Sequence, residues 1–386
     1  NTCSVTNQSD KTGRNIIRQA IRRNPDAMII VVGCYAQLKP QEIGNIDGVD
    51  LILGNNEKFH IPMYLGNLEK RETTEIKVDK IRKVKSYHRA LSWGDRTRSF
   101  LKVQDGCDYF CSFCTIPLAR GRSRNDTIET TVKEAQASIA KGYKELVLTG
   151  VNIGDFGKST GESFFELLKS LAEIEGLKRL RIGSIEPNLL TNEIIELVAD
   201  SEVVMPHFHI PLQAGTDEVL TLMRRKYDTA LFQQRIEKIR ETMPHAFIGV
   251  DIIAGTNGET EDLFRKSYDF IKKLDISQLH PFTYSERNDT KAMQIPGKVP
   301  VEERKIRTQQ YVNLSEKKLH AFYEKHVGTI QNVLFENQQD KDRMYGFSEN
   351  YIKVETTYNA SLVNTIIPVR LLSILESGNV QPELLT

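Results

Sequence analysis

From residue 99 onward the chain repeats one rhythm, a short β-rich run followed by a polar stretch with helical spacing. The runs are "FLKVQ", "ELVLTG", "RLRIGS", "HFHIPL", "FIGVDIIAG" and "QLHPFTYS", with amphipathic stretches such as 127–142 and 228–243 between them. Strands joined by helical crossovers lie parallel, and their helices cover the sheet. Six such units across residues 99–325 predict an α/β protein built on an open (β/α)6 partial barrel. Chemistry in such barrels sits in the loops after the strands. A cysteine cluster follows the first run, Thr149 and Gly150 end the second, Ser184 and Glu186 follow the third, and His209 to Gln213 close the fourth.

The flanks differ from this middle. Residues 1–68 hold a helical pattern with Ile16, Ile17, Ala20 and Ile21 on one face, then "AMIIVVGCY" and "GVDLILG" as strands, which predicts a small open α/β domain. Residues 69–98 carry ten Lys/Arg against five Asp/Glu and little apolar periodicity, as expected of an exposed basic connector or a solvated linker. After a charged helix near 300–325, the runs "GTIQNVLFE", "YIKVETT" and "TIIPVRLLSIL" predict a small β-barrel over 326–386. A length of 386 residues with 27% charged and 39% hydrophobic residues suits two or three globular domains. No stretch approaches the ~18 apolar residues of a membrane helix, so no membrane partner is expected. The first residue is not Met, and a start upstream of Asn1 is expected.

The motif "CDYFCSFC" places Cys107, Cys111 and Cys114 at Cx3Cx2C spacing, and Cys3 and Cys34 complete the five cysteines. So few, so clustered, argue for reduced thiols in a cytoplasm rather than a disulfide scaffold. Three ligands are one short of the usual set for a structural zinc or a 4Fe–4S cube. A cube held by three thiolates keeps one iron open for an exogenous chelate. S-adenosylmethionine offers an amino and a carboxylate group for that position, and an electron from the cube then releases a 5′-deoxyadenosyl radical. On spacing alone the alternative is a zinc knuckle completed by a distant His or Cys.

Cx3Cx2C after the first strand of a partial barrel resembles the radical S-adenosylmethionine enzymes. The ordered motifs "NTCSVT", "VVGCYAQ", "CDYFCSFCTIPLARGRSR", "LTGVNIGDFG", "SIEP", "HIPLQAGTDEVLTLMRRKY", "GETEDLF" and "FTYSERNDTKA" narrow the resemblance to the methylthiotransferases over nearly the whole chain. The resemblance implies an N-terminal domain carrying a second 4Fe–4S cluster, and a C-terminal RNA-binding barrel called TRAM. Cys107, Cys111 and Cys114 would hold the radical cluster. Cys3 and Cys34 match two ligands of the other, whose first ligand would precede Asn1, so that cluster is expected to be incomplete here. Without the resemblance, Cys3 and Cys34 read as buried structural thiols. In the S-adenosylmethionine pocket, Phe113 resembles the aromatic whose backbone approaches the adenine, and Thr149 and Gly150 fall at the amino-group-binding motif. Ser184 and Glu186 would reach the ribose or methionine, with His209 and Gln213 beside them.

The family divides among enzymes acting on isopentenyladenosine in tRNA, on threonylcarbamoyladenosine in tRNA, and on an aspartate of a ribosomal protein. "LTGVNIGDFG" with "NTCSVTN" most resembles the threonylcarbamoyladenosine branch, implying adenosine 37 of the tRNA anticodon loop as target and a flavodoxin or ferredoxin as electron donor. Arg120, Arg122, Arg124 and the basic connector are expected to meet tRNA phosphates. Residues 326–386, with four Lys/Arg and seven Asp/Glu, are expected to read RNA by stacking through Tyr345, Phe347 or Tyr351.

Overall fold

The computed structural model describes residues 1–66, 69–92, 97–340 and 342–385. The expected boundary at residue 68, and Arg96 of the basic stretch, lie outside the described residues. The chain opens with helix α1 (Asn7–Arg23), capped by the Thr6 side chain accepting from Ser9 N–H, then β1 (Ile30–Val32), α2 (Cys34–Leu38), α3 (Pro40–Gly44), β2 (Leu51–Leu53) and β3 (Glu75–Lys77). The three strands pair in parallel in the order β1-β2-β3. Of the apolar face expected on α1, Ile17 is buried while Ile16 is 59% exposed.

Residues 69–98 differ from the expected connector. They supply β3, bury Ile81, and join the next domain through a Leu91–Leu101 bridge and the Tyr87 hydroxyl donating to Lys102 O. A three-residue strand with one apolar side chain has no periodicity to read, so the charges dominate the sequence signal.

The barrel follows as β4 (Arg98–Lys102), α4 (Ile116–Arg120), α5 (Ile128–Ala140), β5 (Glu145–Thr149), α6 (Phe164–Ala172), β6 (Arg179–Arg181), α7 (Asn192–Asp200), β7 (His207–Gln213), α8 (Asp217–Leu222), α9 (Thr229–Thr242), β8 (Phe247–Ala254), α10 (Glu261–Lys273) and β9 (Gln278–Thr283). Parallel triplets β4-β5-β6 and β7-β8-β9 are joined by the bridges Leu180–Val204 and Ser184–His209, giving six parallel strands. Leu101, Leu148, Leu180, Phe208, Ile210, Ile248 and Val250 are fully buried along them, as a sheet covered by helices requires. Helix α11 (Val301–Glu324) covers the open edge at β9, where Ser315 Oγ both accepts from Leu279 N–H and donates to Leu279 O. That contact satisfies an edge strand that would otherwise present unpaired backbone.

The C-terminal strands β10 (Ile330–Asp340), β11 (Arg343–Ser348), β12 (Lys353–Thr357), β13 (Ile366–Ile374) and β14 (Val380–Leu384) close into a barrel in the order β10-β11-β12-β14-β13. It docks beneath the first barrel. Arg179 donates to Phe347 O and Asn332 O, Arg181 donates to Glu349 O, and both flank the buried Glu145. Phe347 and Tyr351, expected to stack on RNA, stack on each other at 4.7 Å under Arg98 and Arg181. Their ring faces serve this interface, and of the three aromatics Tyr345 lies apart, beneath Lys353. Among the described residues no helix is long and apolar enough to cross a membrane.

Candidate iron–sulfur and cofactor site

The loop after β4 is tied shut at its base. The Asp105 and Arg124 backbones exchange two hydrogen bonds of 2.9 Å, and Cys107 N–H donates to Gly121 O. The buried Asp105 carboxylate accepts from Lys102, Arg120 and Arg124. Burial alone would raise its pKa, but the three cations outweigh it and hold the group well below the usual carboxylate range. Gly106 has φ +73°, and a Cβ there would lie 1.9 Å from Arg122 O, so only glycine permits this crossing. Arg120 and Arg124 therefore fasten the loop instead of meeting phosphates as expected. Arg124 is buried, whereas Arg122 is exposed.

Inside this loop Cys114 N–H donates to Cys111 O, and each sulfur faces a donor. Tyr109 N–H lies 3.5 Å from Cys107 Sγ, Ile116 N–H 3.4 Å from Cys114 Sγ, and Arg225 Nη1 3.0 Å from Cys111 Sγ. Burial pushes the free thiols up, Cys107 to about 11 and Cys114 to about 12. Cys111 is also raised by burial, with Arg225 opposing it. Thiolates here therefore need a cation, while the surrounding N–H groups are arranged for anionic sulfur. Among the described residues no three His, Cys, Asp or Glu side chains converge on a single-ion site. Three thiols on one closed loop, each with a donor on its sulfur, suit a ligand set for anionic sulfur.

The other expected residues stand at the C-terminal ends of the strands. The Thr149 hydroxyl turns to Leu101 O, so it ties β5 to β4. A Cβ at Gly150 would lie 3.0 Å from Gln104 O, and the bare backbone lets Gln104 Oε1 accept from Val151 and Asn152 N–H. Ser184 bridges His209 across the seam between the two triplets. Glu186 is paired with Arg225, which also reaches Cys111, so one guanidinium links the cluster loop to the end of β6. Burial raises the Glu186 pKa against the pull of Arg225. His209 Nε2 lies 2.7 Å from Asp251 Oδ1, and its ring meets His280 edge-on. Gln213, the last residue of β7, sits at φ +67° just after a register shift and still pairs with Ile252. Phe113 packs, partly buried, against the barrel core.

Sequence reasoning missed Gln104, Asn152, Asn188, Arg225 and Asp251. Asp251 interrupts the apolar run "FIGVDIIAG", and that break was the available signal. Buried polar atoms without hydrogen-bond partners recur in the segments that follow the strands. Among them are both amide atoms of Asn152 after β5, Asn188 Oδ1 after β6, Thr216 Oγ1 after β7, Thr256 Oγ1 and Asn257 Oδ1 after β8, and Tyr284 OH after β9. Such atoms are costly unless a ligand or water meets them, and they recur after five of the six strands.

The remaining cysteines meet at the junction with the N-terminal domain. Thr2 bridges Gly33 in parallel, and Cys34 N–H donates to Thr2 O, so Cys3 and Cys34 follow side by side. Cys3 is exposed and Cys34 buried. Asn55 Nδ2 donates both to Cys34 Sγ and to Ala119 O on α4, the helix just after Cys114. Both cysteine groups therefore border the same junction.

Residues 101–271 match the family profile described as the Radical SAM superfamily, and residues 1–54 match that described as Uncharacterized protein family UPF0004. The chain is 37% identical to the threonylcarbamoyladenosine tRNA methylthiotransferase MtaB of Bacillus subtilis, over 96% of this chain and 84% of that protein. It is 31% identical to the tRNA-2-methylthio-N(6)-dimethylallyladenosine synthase of Clostridium botulinum, over 90% of this chain and 79% of that one. Among solved structures, the cobalamin-dependent S-adenosylmethionine radical enzyme OxsB aligns with a TM-score of 0.47 at 11% identity, covering 83% of this chain and 48% of that one.

Proposed function

Because the chain belongs to the radical S-adenosylmethionine tRNA methylthiotransferases, we propose that it adds a methylthio group to C2 of N6-threonylcarbamoyladenosine at position 37 of tRNA. What supports the choice of nucleoside is that four relatives at 36–37% identity are all named for threonylcarbamoyladenosine, whereas those named for dimethylallyladenosine stand at 31%.

Cys107, Cys111 and Cys114 hold the radical cluster in this proposal. A 4Fe–4S cluster and S-adenosylmethionine bound there would supply a 5′-deoxyadenosyl radical. The chain's own residues fix where that chemistry happens. Asp105 and its three cations hold the loop's base, Gly106 permits the crossing, and Arg225 sets Cys111 against Glu186. Phe113, Thr149, Gly150, Ser184, Glu186, His209 and Gln213 form the wall of the S-adenosylmethionine pocket. Their common position at strand ends, among unpartnered polar atoms, supports that assignment.

Cys3 and Cys34 serve a second 4Fe–4S cluster that delivers sulfur. Their adjacency across the Thr2–Gly33 bridge, and the Asn55 link from Cys34 to α4, support it. Electrons come from a flavodoxin or ferredoxin. Nucleoside mass spectrometry of tRNA from cells lacking and then regaining the gene tests the substrate. The methylthio derivative of threonylcarbamoyladenosine should vanish and return; loss of the dimethylallyl derivative instead would refute the choice.

A further inference from the structure

Tyr109 lies in the cluster loop between Cys107 and Cys111, and only 7% of it is exposed. Two ammonium groups converge on its ring, Lys226 Nζ at 4.3 Å from the centroid and Lys158 Nζ at 5.9 Å. Lys158 comes from the segment after β5 and Lys226 from the segment after α8, and both are exposed at the mouth. Lys158 is paired with Asp155 Oδ1 at 2.5 Å, whereas among the described residues no carboxylate lies within ion-pair distance of Lys226. The Tyr109 hydroxyl accepts from Asn188 Nδ2 at 2.8 Å, which leaves Asn188 Oδ1 buried and unmet. Asn152 stands near the same hydroxyl.

Asp155 already balances Lys158, so the charge left uncompensated at this corner is that of Lys226, and an anion beside it would be favoured. A ligand for this corner should carry a carboxylate for Lys226 and donors for the unmet amide oxygen. The threonylcarbamoyl group carries a carboxylate, a hydroxyl and ureido N–H groups. A dimethylallyl group carries none of these and would leave the same atoms unpaired, which is how a polar site rejects an apolar analogue. We propose that Lys226, set over Tyr109 with Lys158 beside it, receives the carboxylate of the threonylcarbamoyl group and selects this nucleoside. The proposal rests on the substrate assigned above.

Two other anions reach the same mouth, the methionine carboxylate of S-adenosylmethionine and a tRNA phosphate, and the test separates them. Reconstituted wild-type enzyme, Lys226→Gln and Lys226→Arg are assayed on anticodon stem-loops bearing threonylcarbamoyladenosine or its neutral carboxamide counterpart. Lys226→Gln should raise KM for the acid about tenfold, the usual size of one charge-assisted contact, with kcat nearly unchanged. On the carboxamide it should match wild type, Lys226→Arg should restore most of the loss, and RNA-free cleavage of S-adenosylmethionine should be unaltered. An equal loss on the carboxamide would mark a phosphate contact and overturn the proposal. So would impaired RNA-free cleavage, which assigns the lysine to the cofactor, or an unchanged KM for the acid. A wild-type enzyme that ignores threonylcarbamoyladenosine refutes the substrate assignment itself, and this proposal with it.

Discussion

Arg287 Nη1 donates to Asp10 Oδ2 at 2.8 Å across 277 positions of sequence, with both side chains buried. The same guanidinium donates to Ser4 and to Asn7 Oδ1, so one side chain from beyond β9 holds the start of the N-terminal domain.

Breaking a buried pair from one side typically costs about 3 kcal/mol or more, because the partner charge is left uncompensated. Arg287→Met should therefore loosen the N-terminal domain and reduce methylthiolation far more than cleavage of S-adenosylmethionine. Burial alone would raise the Asp10 pKa, but hydrogen bonds from Ser4, Arg287 and Lys39 hold it below its ordinary 3.8. Its contribution is thus present above pH 3.8 and lost only as pH falls through the lower folded value. Equal losses of both activities in Arg287→Met would show that the pair serves general stability alone.

Replacing Cys107, Cys111 or Cys114 singly with Ala should abolish reductive cleavage of S-adenosylmethionine, since no spare cysteine lies in the loop. Chromatography of 5′-deoxyadenosine after anaerobic reduction reads this directly. Full product from any one of the three variants contradicts the ligand assignment.

His207 packs against Phe247 and Tyr351 where the small barrel docks. Burial lowers its pKa well below 6.5, and Arg181, Arg98, His209 and His280 push the same way. The unfolded chain therefore binds the proton that the folded one refuses, so stability is full above pH 6.5 and declines as pH falls below it. Thermal unfolding between pH 7 and pH 5 should show this decline, and His207→Phe should flatten it. An identical slope in the variant would assign the acid sensitivity to other groups.

Reversing the charges of Lys80, Arg82, Lys83, Lys85 and Arg122, all exposed, should weaken tRNA binding and flatten its dependence on salt. Reversal at Arg124 should instead damage the loop and lower iron content, because Arg124 braces Asp105. Binding titrations over a salt series distinguish the two, and an unchanged slope after the first set places those charges away from RNA.

The parts legible in the sequence were those written locally. Cx3Cx2C spacing and six β-rich runs announce a loop and a barrel because ligand spacing and strand burial act within a few neighbours in the chain. Arg120 and Arg124 misled because a basic side chain carries no mark of its partner, and Asp105 lies fifteen and nineteen positions away. Phe347 and Tyr351 misled for the same reason, since an aromatic that stacks on RNA and one that stacks under Arg98 are the same letter. Arg225 was overlooked although its motif was in view, because its role exists only once β6 and the cluster loop have been folded against it.

Helix α11 touches both ends of the molecule. Near its start Arg304 donates to Val299 O and pairs with Glu286, beside the mouth, and near its end Phe322 and Tyr323 enter the core of the small barrel. Its 24 residues span about 36 Å without a break. A rod of that length works as a strut: together with Arg179 and Arg181, which donate to backbone carbonyls of the small barrel, it fixes that barrel at a set distance from the mouth. A graft that lengthens α11 by two turns should therefore pull the small barrel off Arg179 and Arg181 and lower the temperature of thermal unfolding.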